Sequence, residues 1–261
     1  MDVQYISTKL KENSVSTFSA ERLVFFREVE STQDIAKELA IMGFKDGTVI
    51  LAEAQTKGRG RMNRKWLSPP GGIWFSTILR PNIEIDRLPI LNFVSSLAVT
   101  KAVKRLYGLE VYCKWPNDVV VGNKKLSGSL IEAEVLHNSI IYSIIGIGVN
   151  VNNEIPDEIK ESSTSILEAL GKRVKIEDLL IEILLQLDKL YQEFISGFYI
   201  KILNEWKTYT NFLGKVVYII RNGEKIRGVA VDVDAQGSLL LRLQDDSLMR
   251  IRHGEMSMRL I

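Results

Sequence analysis

Short β-branched and apolar runs separated by turn residues alternate along this chain with a few longer runs of helical period, so both strands and helices are expected. Leu23 to Val29 reads as the first strand, and a helix is expected after Ser31, whose hydroxyl can cap it. Thr48 to Ala54 is β-branched and apolar, which predicts a buried strand. The stretch from Gln55 to Gly72 is rich in Gly, Arg and Pro and has no period, which predicts a long loop; loops of that length inside a compact domain are usually functional. A strand over Ile73 to Leu79 follows, then a helix from about Leu88 to Tyr107 with apolar positions around most of its circumference, as burial against a sheet requires. Three strands are expected near 111–121, 125–136 and 139–151, with Gly122-Asn123 turning between the first two. Ile176 to Phe194 carries an apolar stripe, including Leu179, Leu180, Ile183, Leu187 and Leu190, opposite Glu177, Asp178, Glu182, Asp188 and Glu193. From about Phe212 the pattern changes to five short strands in about 50 residues, with turns at Asn222-Gly223, Gln236-Gly237 and Asp245-Asp246, which predicts a small β-barrel. Residues 1–20 are polar and aperiodic, a tail or first short element. The expected organisation is an N-terminal tail over 1–20, an α+β domain over 21–211 and a C-terminal barrel over 212–261.

Composition narrows the function classes. Of 261 residues 46% are hydrophobic and 25% charged, which fits a packed globular core. The 34 basic and 32 acidic residues give a net of +2, too even for a whole-protein nucleic-acid or membrane binder, so an anion site must be a local cluster. The single cysteine, Cys113, lies in an apolar stretch and reads as a small packing residue. With only His137 and His253 besides, neither a protein-ligated metal nor histidine catalysis is expected. Residues 1–20 lack a signal-peptide core and no run is long enough to span a bilayer, so the chain reads as cytoplasmic.

Four stretches carry candidate chemistry. In Lys57-Gly58-Arg59-Gly60-Arg61-Met62-Asn63-Arg64-Lys65-Trp66, five positive charges fall in nine residues. Guanidinium groups bind phosphate oxygens bidentately, and interspersed glycines let the backbone approach a ligand. Mutual repulsion predicts a loop that stays mobile until an anion arrives. Gly58-Arg59-Gly60 imitates a dinucleotide fingerprint, but Asn63 stands at the third glycine and Pro69-Pro70 prevent a following helix. A solvated basic loop, or one touching nucleic acid, is the plainer alternative. In Lys114-Trp115-Pro116-Asn117-Asp118 the proline interrupts the strand and turns Asn117 and Asp118 out of the ladder, either toward a phosphate and an amine or into an Asx turn. Lys125, opening Lys125-Leu126-Ser127-Gly128-Ser129-Leu130-Ile131-Glu132, either reaches into a cleft or solubilises a hairpin. In Gly146-Ile147-Gly148-Val149-Asn150-Val151-Asn152, alternation puts both glycines, Asn150 and Asn152 on one face, which suits a ligand's close approach or a bulge or tight sheet packing.

Together, in this order and spacing, these stretches resemble the biotin–protein ligase family, with its GRGRxGRxW, KWPND, K-[LI]-[AS]-G-x-L-x-E and GxGxN patterns. Glu30-Ser31-Thr32-Gln33 is similar to the family's [DE]-S-T-[NQ] opening, and Gly254-Glu255-Met256-Ser257-Met258-Arg259 to its GEISLR ending. The resemblance runs from about residue 23 to the end. It implies a mixed sheet of the class II aminoacyl-tRNA synthetase and biotin ligase type, followed by an SH3-like barrel. It also implies that Ser31, Thr32, Gln55, Gly58, Arg59, Lys125 and Gly146 surround biotin, and that Arg61, Arg64, Trp66, Asn117, Lys125 and Asn150 serve ATP or the adenylate. Arg59, Lys125 and Asp118 would be catalytic, Asp118 toward an incoming lysine. ATP with Mg²⁺, a biotin carboxyl carrier protein as acceptor and a homodimer through the central sheet are the implied cofactors and partners, without nucleic acid or membrane. Asn63 departs from the family glycine but tolerates positive φ. A lipoate–protein ligase is disfavoured because its RRxSGGGxVxHD pattern is missing. A biotin-sensing regulator is disfavoured because about 20 residues before the first strand leave no room for a winged helix.

Overall fold

The computed structural model of the chain describes residues 1–221, 224–252 and 255–257. The Asn222-Gly223 turn, His253, and Gly254, Met258 and Arg259 of the C-terminal motif fall outside the described residues, as does the side chain of Asn63.

Residues 1–20 are not a loose tail. Helix α1 (Val3–Glu12) is capped by Asp2, whose side chain accepts from the Tyr5 N–H, and Ile6 and Leu10 are fully buried. Ile6 and Leu10, at i and i+4, with the partly buried Tyr5 beside them, form the one edge of α1 that meets the core; most other positions are polar, and the periodicity is therefore faint.

Strands β1 (Leu23–Val29), β2 (Thr48–Gln55) and β3 (Ile73–Leu79) form as the pattern predicts. Between the first two lies helix α2 (Thr32–Ile41), capped by Ser31. Ile85–Ile90, which contains Pro89, winds as a 3-10 turn, so helix α3 (Leu91–Tyr107) starts later than expected. The strand expected over 111–121 is in fact two: β4 (Val111–Lys114) and β5 (Asp118–Val121) pair antiparallel around a cis Trp115–Pro116 bond. A proline without an N–H cannot continue the ladder, and the chain reverses there. Next come β6 (Lys124–Leu136) and β7 (Ser139–Val149), turning at His137-Asn138, then α4 (Ile166–Leu170), α5 (Ile176–Ile195) and α6 (Tyr199–Thr208). The seven strands form one mixed sheet ordered β1-β2-β3-β7-β6-β5-β4, in which only β1–β2 is parallel.

One face of the sheet lies under α3 and α5, where Leu51, Phe75, Ile145 and Ile147 share a core with Leu97, Leu180 and Leu184. Cys113 is part of that core, and burial pushes its thiol up to about 12. The acidic face of α5 is itself covered in part: Asp188 accepts from the Thr17 N–H at 2.6 Å, and Glu182 is ion-paired to Arg105. Among the described residues the other face carries the ten-residue α2, packed through Ala36 and Ala40 on Ile50, Ile78 and Ile144. Beyond the N-terminus of α2 that face opens into a cleft.

The C-terminal segment builds β8 (Val216–Arg221), β9 (Glu224–Val233), β10 (Leu239–Arg242), β11 (Leu248–Ile251) and β12 (Glu255–Ser257), the five expected strands. They form an antiparallel sheet ordered β11-β10-β9-β8-β12, and among the described residues no pairing closes β11 onto β12. Its β9–β10 turn is seated on the larger sheet: the Trp115 Nε1–H donates to the Gly237 carbonyl at 3.0 Å, and Gly237 rests against the Phe93 ring. Among the described residues no helix is long and apolar enough to cross a membrane.

Candidate active site

The cleft encloses about 730 Å³ between the N-terminus of α2, the 55–72 loop, β6, β7 and the 157–163 segment. Ser31, Thr32, Gln55, Arg59, Arg61, Arg64, Trp66, Asn117, Asp118, Lys125, Gly146 and Asn150 all line it. Gly58 alone of the expected residues does not; it lies beneath the loop, where a Cβ would come within 2.4 Å of the Trp66 carbonyl.

One end is floored by neutral hydrogen-bonding groups. Ser31 caps α2 by accepting from the Gln33 N–H at 3.2 Å. The Thr32 N–H and Oγ1 both donate to Gln55 Oε1, at 2.8 and 3.0 Å, and Gln55 Nε2 donates to Ser68 Oγ at 2.8 Å. Thr32 Oγ1 also contacts Ser76 Oγ at 2.9 Å, and Ser76 Oγ donates to Gln33 Oε1 at 3.1 Å. This network leaves Gln33 Nε2 buried without a partner among the described residues. A buried amide donor left open costs stability unless a ligand accepts from it. Gly146 makes room for this floor, since a Cβ there would lie 2.6 Å from Gln33 Oε1. Gln33 stands in the opening motif but carries no role in the sequence reading, and Ser76 and Ser68 are not named there; a serine at the centre of the apolar run Ile73 to Leu79 is the available signal.

The other end is cationic. Residues 58–66 fold back as a narrow hairpin, with the Gly60 N–H bonded to the Arg64 carbonyl at 2.7 Å and the Trp66 N–H to the Gly58 carbonyl at 2.8 Å. Its tip carries Met62 in the left-handed region at φ 55°. The positive charges expected to repel one another meet acidic and amide groups distant in sequence. Lys57 pairs with Glu30 at 2.7 Å, Arg59 with Asp34 and Glu132 at 2.6 and 3.0 Å, and Arg61 Nη1 donates to Asn117 Oδ1 at 3.0 Å.

The β4–β5 turn supplies Asn117 and Asp118. Asn117 is buried, donating through Nδ2 to the Ser129 carbonyl at 2.6 Å. Asp118 is ion-paired with Lys125 at 2.7 Å, and the Lys125 ammonium sits 5.1 Å from the centre of the Trp66 ring, within cation–π range. The indole can pack close against β7 because residue 148 is glycine: a Cβ would meet Trp66 Nε1 at 2.5 Å. Asn150 has both ends of its amide engaged, donating to the Thr164 carbonyl at 3.1 Å and accepting from Asn153 at 3.2 Å. It thereby braces the cleft wall. The 157–163 segment, another feature unread in the sequence, closes the cationic end; the Lys125 N–H donates to the Ser162 carbonyl at 2.8 Å.

A cleft with a neutral polar floor at one end and arginine, lysine and tryptophan at the other suits an uncharged polar ring joined to a nucleotide. Residues 25–150 match the family model of the biotin/lipoate A/B protein ligases, and residues 212–259 that of the biotin protein ligase C-terminal domain. The bifunctional ligase/repressor BirA of Bacillus subtilis is 34% identical over 229 residues, which is 86% of this chain and 70% of that protein. The biotin–[acetyl-CoA-carboxylase] ligase of Paracoccus denitrificans is 28% identical over 82% of this chain and 91% of its own length. Among solved structures, the biotin protein ligase of Aquifex aeolicus in complex with biotin and ATP superposes with a TM-score of 0.78 at 34% identity, covering 91% of this chain and 98% of that one. Fold, cleft and kinship agree: this chain belongs to the biotin protein ligases of the biotin/lipoate A/B ligase family.

Proposed function

We propose that this chain activates biotin with ATP to biotinyl-5′-AMP and then transfers the biotinyl group to one lysine of a biotin carboxyl carrier protein. The observation that carries the reading is the neutral floor meeting the cationic end in one continuous cleft. Biotin's ureido ring offers a carbonyl and two N–H groups to Thr32, Gln33, Gln55 and Ser76, with Ser31 and Gly146 shaping the space around it. The dithiolane of lipoate would leave those buried polar groups unpaired, a strong basis for discrimination.

In the first half-reaction a biotin carboxylate oxygen attacks the α-phosphorus of ATP, and diphosphate departs. Two anions must approach, and Arg61, Arg64 and Lys125 offset the repulsion where charge accumulates. Trp66 presents a ring face for the base, with Asn117 and Asn150 bracing either side. Arg59, further out, holds the loop over the cleft and excludes water from the mixed anhydride. Mg²⁺, when bound with ATP, supplies charge neutralisation on the phosphates. Among the described residues no group of three His, Cys, Asp or Glu side chains gathers, and Glu161, which lines the cleft, is the carboxylate that would help to hold the ion. In the second half-reaction the lysine amine attacks the acyl carbonyl, AMP leaves with the bonding pair, and Asp118 takes or directs the amine proton. Asp118 is free to do so once the phosphates draw Lys125 away from it.

Incubation with biotin, ATP and a carrier domain tests the reading by mass spectrometry: biotin should appear on one lysine, and replacing that lysine by arginine should abolish it. No modification of the carrier would overturn the transfer step. We also read the chain as a cytoplasmic homodimer with a catalytic domain over 21–211 and a C-terminal domain over 212–261; sedimentation showing a monomer with and without biotin would reject the dimer.

A further inference from the structure

Arg59 is held from two sides of the cleft at once. Its Nη1 and Nη2 donate to the two oxygens of Glu132 at 3.0 and 3.1 Å, and Nη2 donates to Asp34 Oδ1 at 2.6 Å. Asp34 lies in the first turn of α2, directly after Ser31, Thr32 and Gln33, where a helix N-terminus favours a carboxylate. Glu132 lies on β6, on the cleft-facing side that alternation assigns to Leu130 as well. The guanidinium therefore bridges the helix end that floors the cleft and the strand that carries Lys125 near its start. The planar, two-bond contact with Glu132 is the strong and directional form of such a pair.

The backbone around Arg59 transmits that hold. Gly58 and Trp66, Arg59 and Lys65, and Gly60 and Arg64 are paired across the loop, so fixing Arg59 fixes the strip that carries Arg61, Arg64 and Trp66. Two carboxylates surround one guanidinium, so its charge is already balanced and Arg59 is not a spare cation for a triphosphate.

We propose that Asp34 and Glu132 are positioning residues that act through Arg59, clipping the loop shut over the cleft and setting how long biotin and its adenylate are retained. The retention half rests on the proposed function; the closure half does not. Arg59, Asp34 and Glu132 are 38%, 51% and 38% exposed, so each contact is partly screened and the expected effects are modest.

The test compares the full chain with Glu132→Gln, Asp34→Asn and the double variant, changes that keep shape and remove charge. Trypsin can cut after Lys57, Arg59, Arg61, Arg64 and Lys65, so cleavage within the loop reports its opening without any ligand. Each single variant should be cut there roughly three- to fivefold faster than wild type, and the double variant faster still. Biotin dissociation should accelerate by a similar factor, while the melting temperature stays near wild type; a merely structural role would lower the melting temperature instead. Wild-type cleavage and wild-type dissociation in the double variant would overturn the clip. Faster cleavage with unchanged dissociation would overturn its role in retention. Faster cleavage in a chain whose wild type does not bind biotin would leave the clip standing and reject the proposed function.

Discussion

Gly146 and Gly148 lie on the same face of β7, two residues apart, yet one abuts Gln33 in the neutral floor and the other Trp66 at the cationic end. Alanine at each therefore separates the two ends. At 148 the added Cβ would meet Trp66 Nε1, Cε2 and Cζ2 at 2.5, 2.6 and 2.9 Å, all atoms of a rigid ring. Restoring an ordinary contact of about 3.5 Å means moving the indole by about 1 Å. The ring is hemmed in by Trp74, 6.4 Å away edge-on, and by the Lys125 ammonium, so the shift weakens both contacts. Overpacking of this kind costs roughly 1–3 kcal/mol, and a 1 Å misplacement of a substrate-positioning group can cost about a hundredfold in rate. At 146 the Cβ would meet Gln33 Oε1 at 2.6 Å and Ser76 Oγ at 3.4 Å, atoms of the neutral floor. Gly148→Ala should therefore raise the KM for ATP and lower adenylation by ten- to a hundredfold, roughly, with biotin affinity by calorimetry kept within about threefold. Gly146→Ala should do the reverse, weakening biotin binding before any ATP is added. Equal loss of biotin affinity in both variants would refute the division of the cleft, and no effect in either would refute the close packing on which it rests.

Asp118→Ala should spare biotin-dependent adenylation but slow transfer from preformed adenylate by about a hundredfold or more, as removal of a general base does; single-turnover assays that show both steps falling equally would reject that assignment. Arg59→Ala should release adenylate into solution during turnover, and a variant that retains it as wild type does would contradict the closing role of the loop. Gly237→Ala combines a left-handed φ of 80° with a Cβ 2.6 Å from the Phe93 ring, so it should destabilise by roughly 2–4 kcal/mol and slow transfer by loosening the Trp115 anchor. Gly197→Ala, at φ 82° with nothing within 4 Å, should cost only the backbone part, and equal losses in the two would remove the case for the anchor. The Cys113 thiol, pushed up to about 12 by burial, should resist alkylation at neutral pH in the native protein and react on unfolding; rapid native labelling would show that the core around it opens.

Elements whose signal is local were readable in the sequence. Ser31 caps α2 through the Gln33 N–H two residues on, β3 is a mostly β-branched and aromatic run interrupted by Ser76, and the stripe on α5 spans five turns. Features that depend on distant partners were not. Helix α1 buries only Ile6 and Leu10 fully, and the β4–β5 hairpin has strands of four residues, too short for a period to register. The same limit applied at the cleft. Each residue of the arginine loop could be named, but Asp34 and Glu132 stand 25 and 73 positions from Arg59, and charge counting alone left the loop repelling itself. Gln33 and Ser76 likewise become meaningful only when β3 and β7 bring Ser76 and Gly146 into register beneath α2.

The central claim is that this cleft joins biotin to the α-phosphate of ATP, and ATP–pyrophosphate exchange measures that step directly. Purified chain should exchange labelled diphosphate into ATP when biotin is present and show only background with lipoate or with no acid. Exchange supported by lipoate, or none with biotin, would contradict the account.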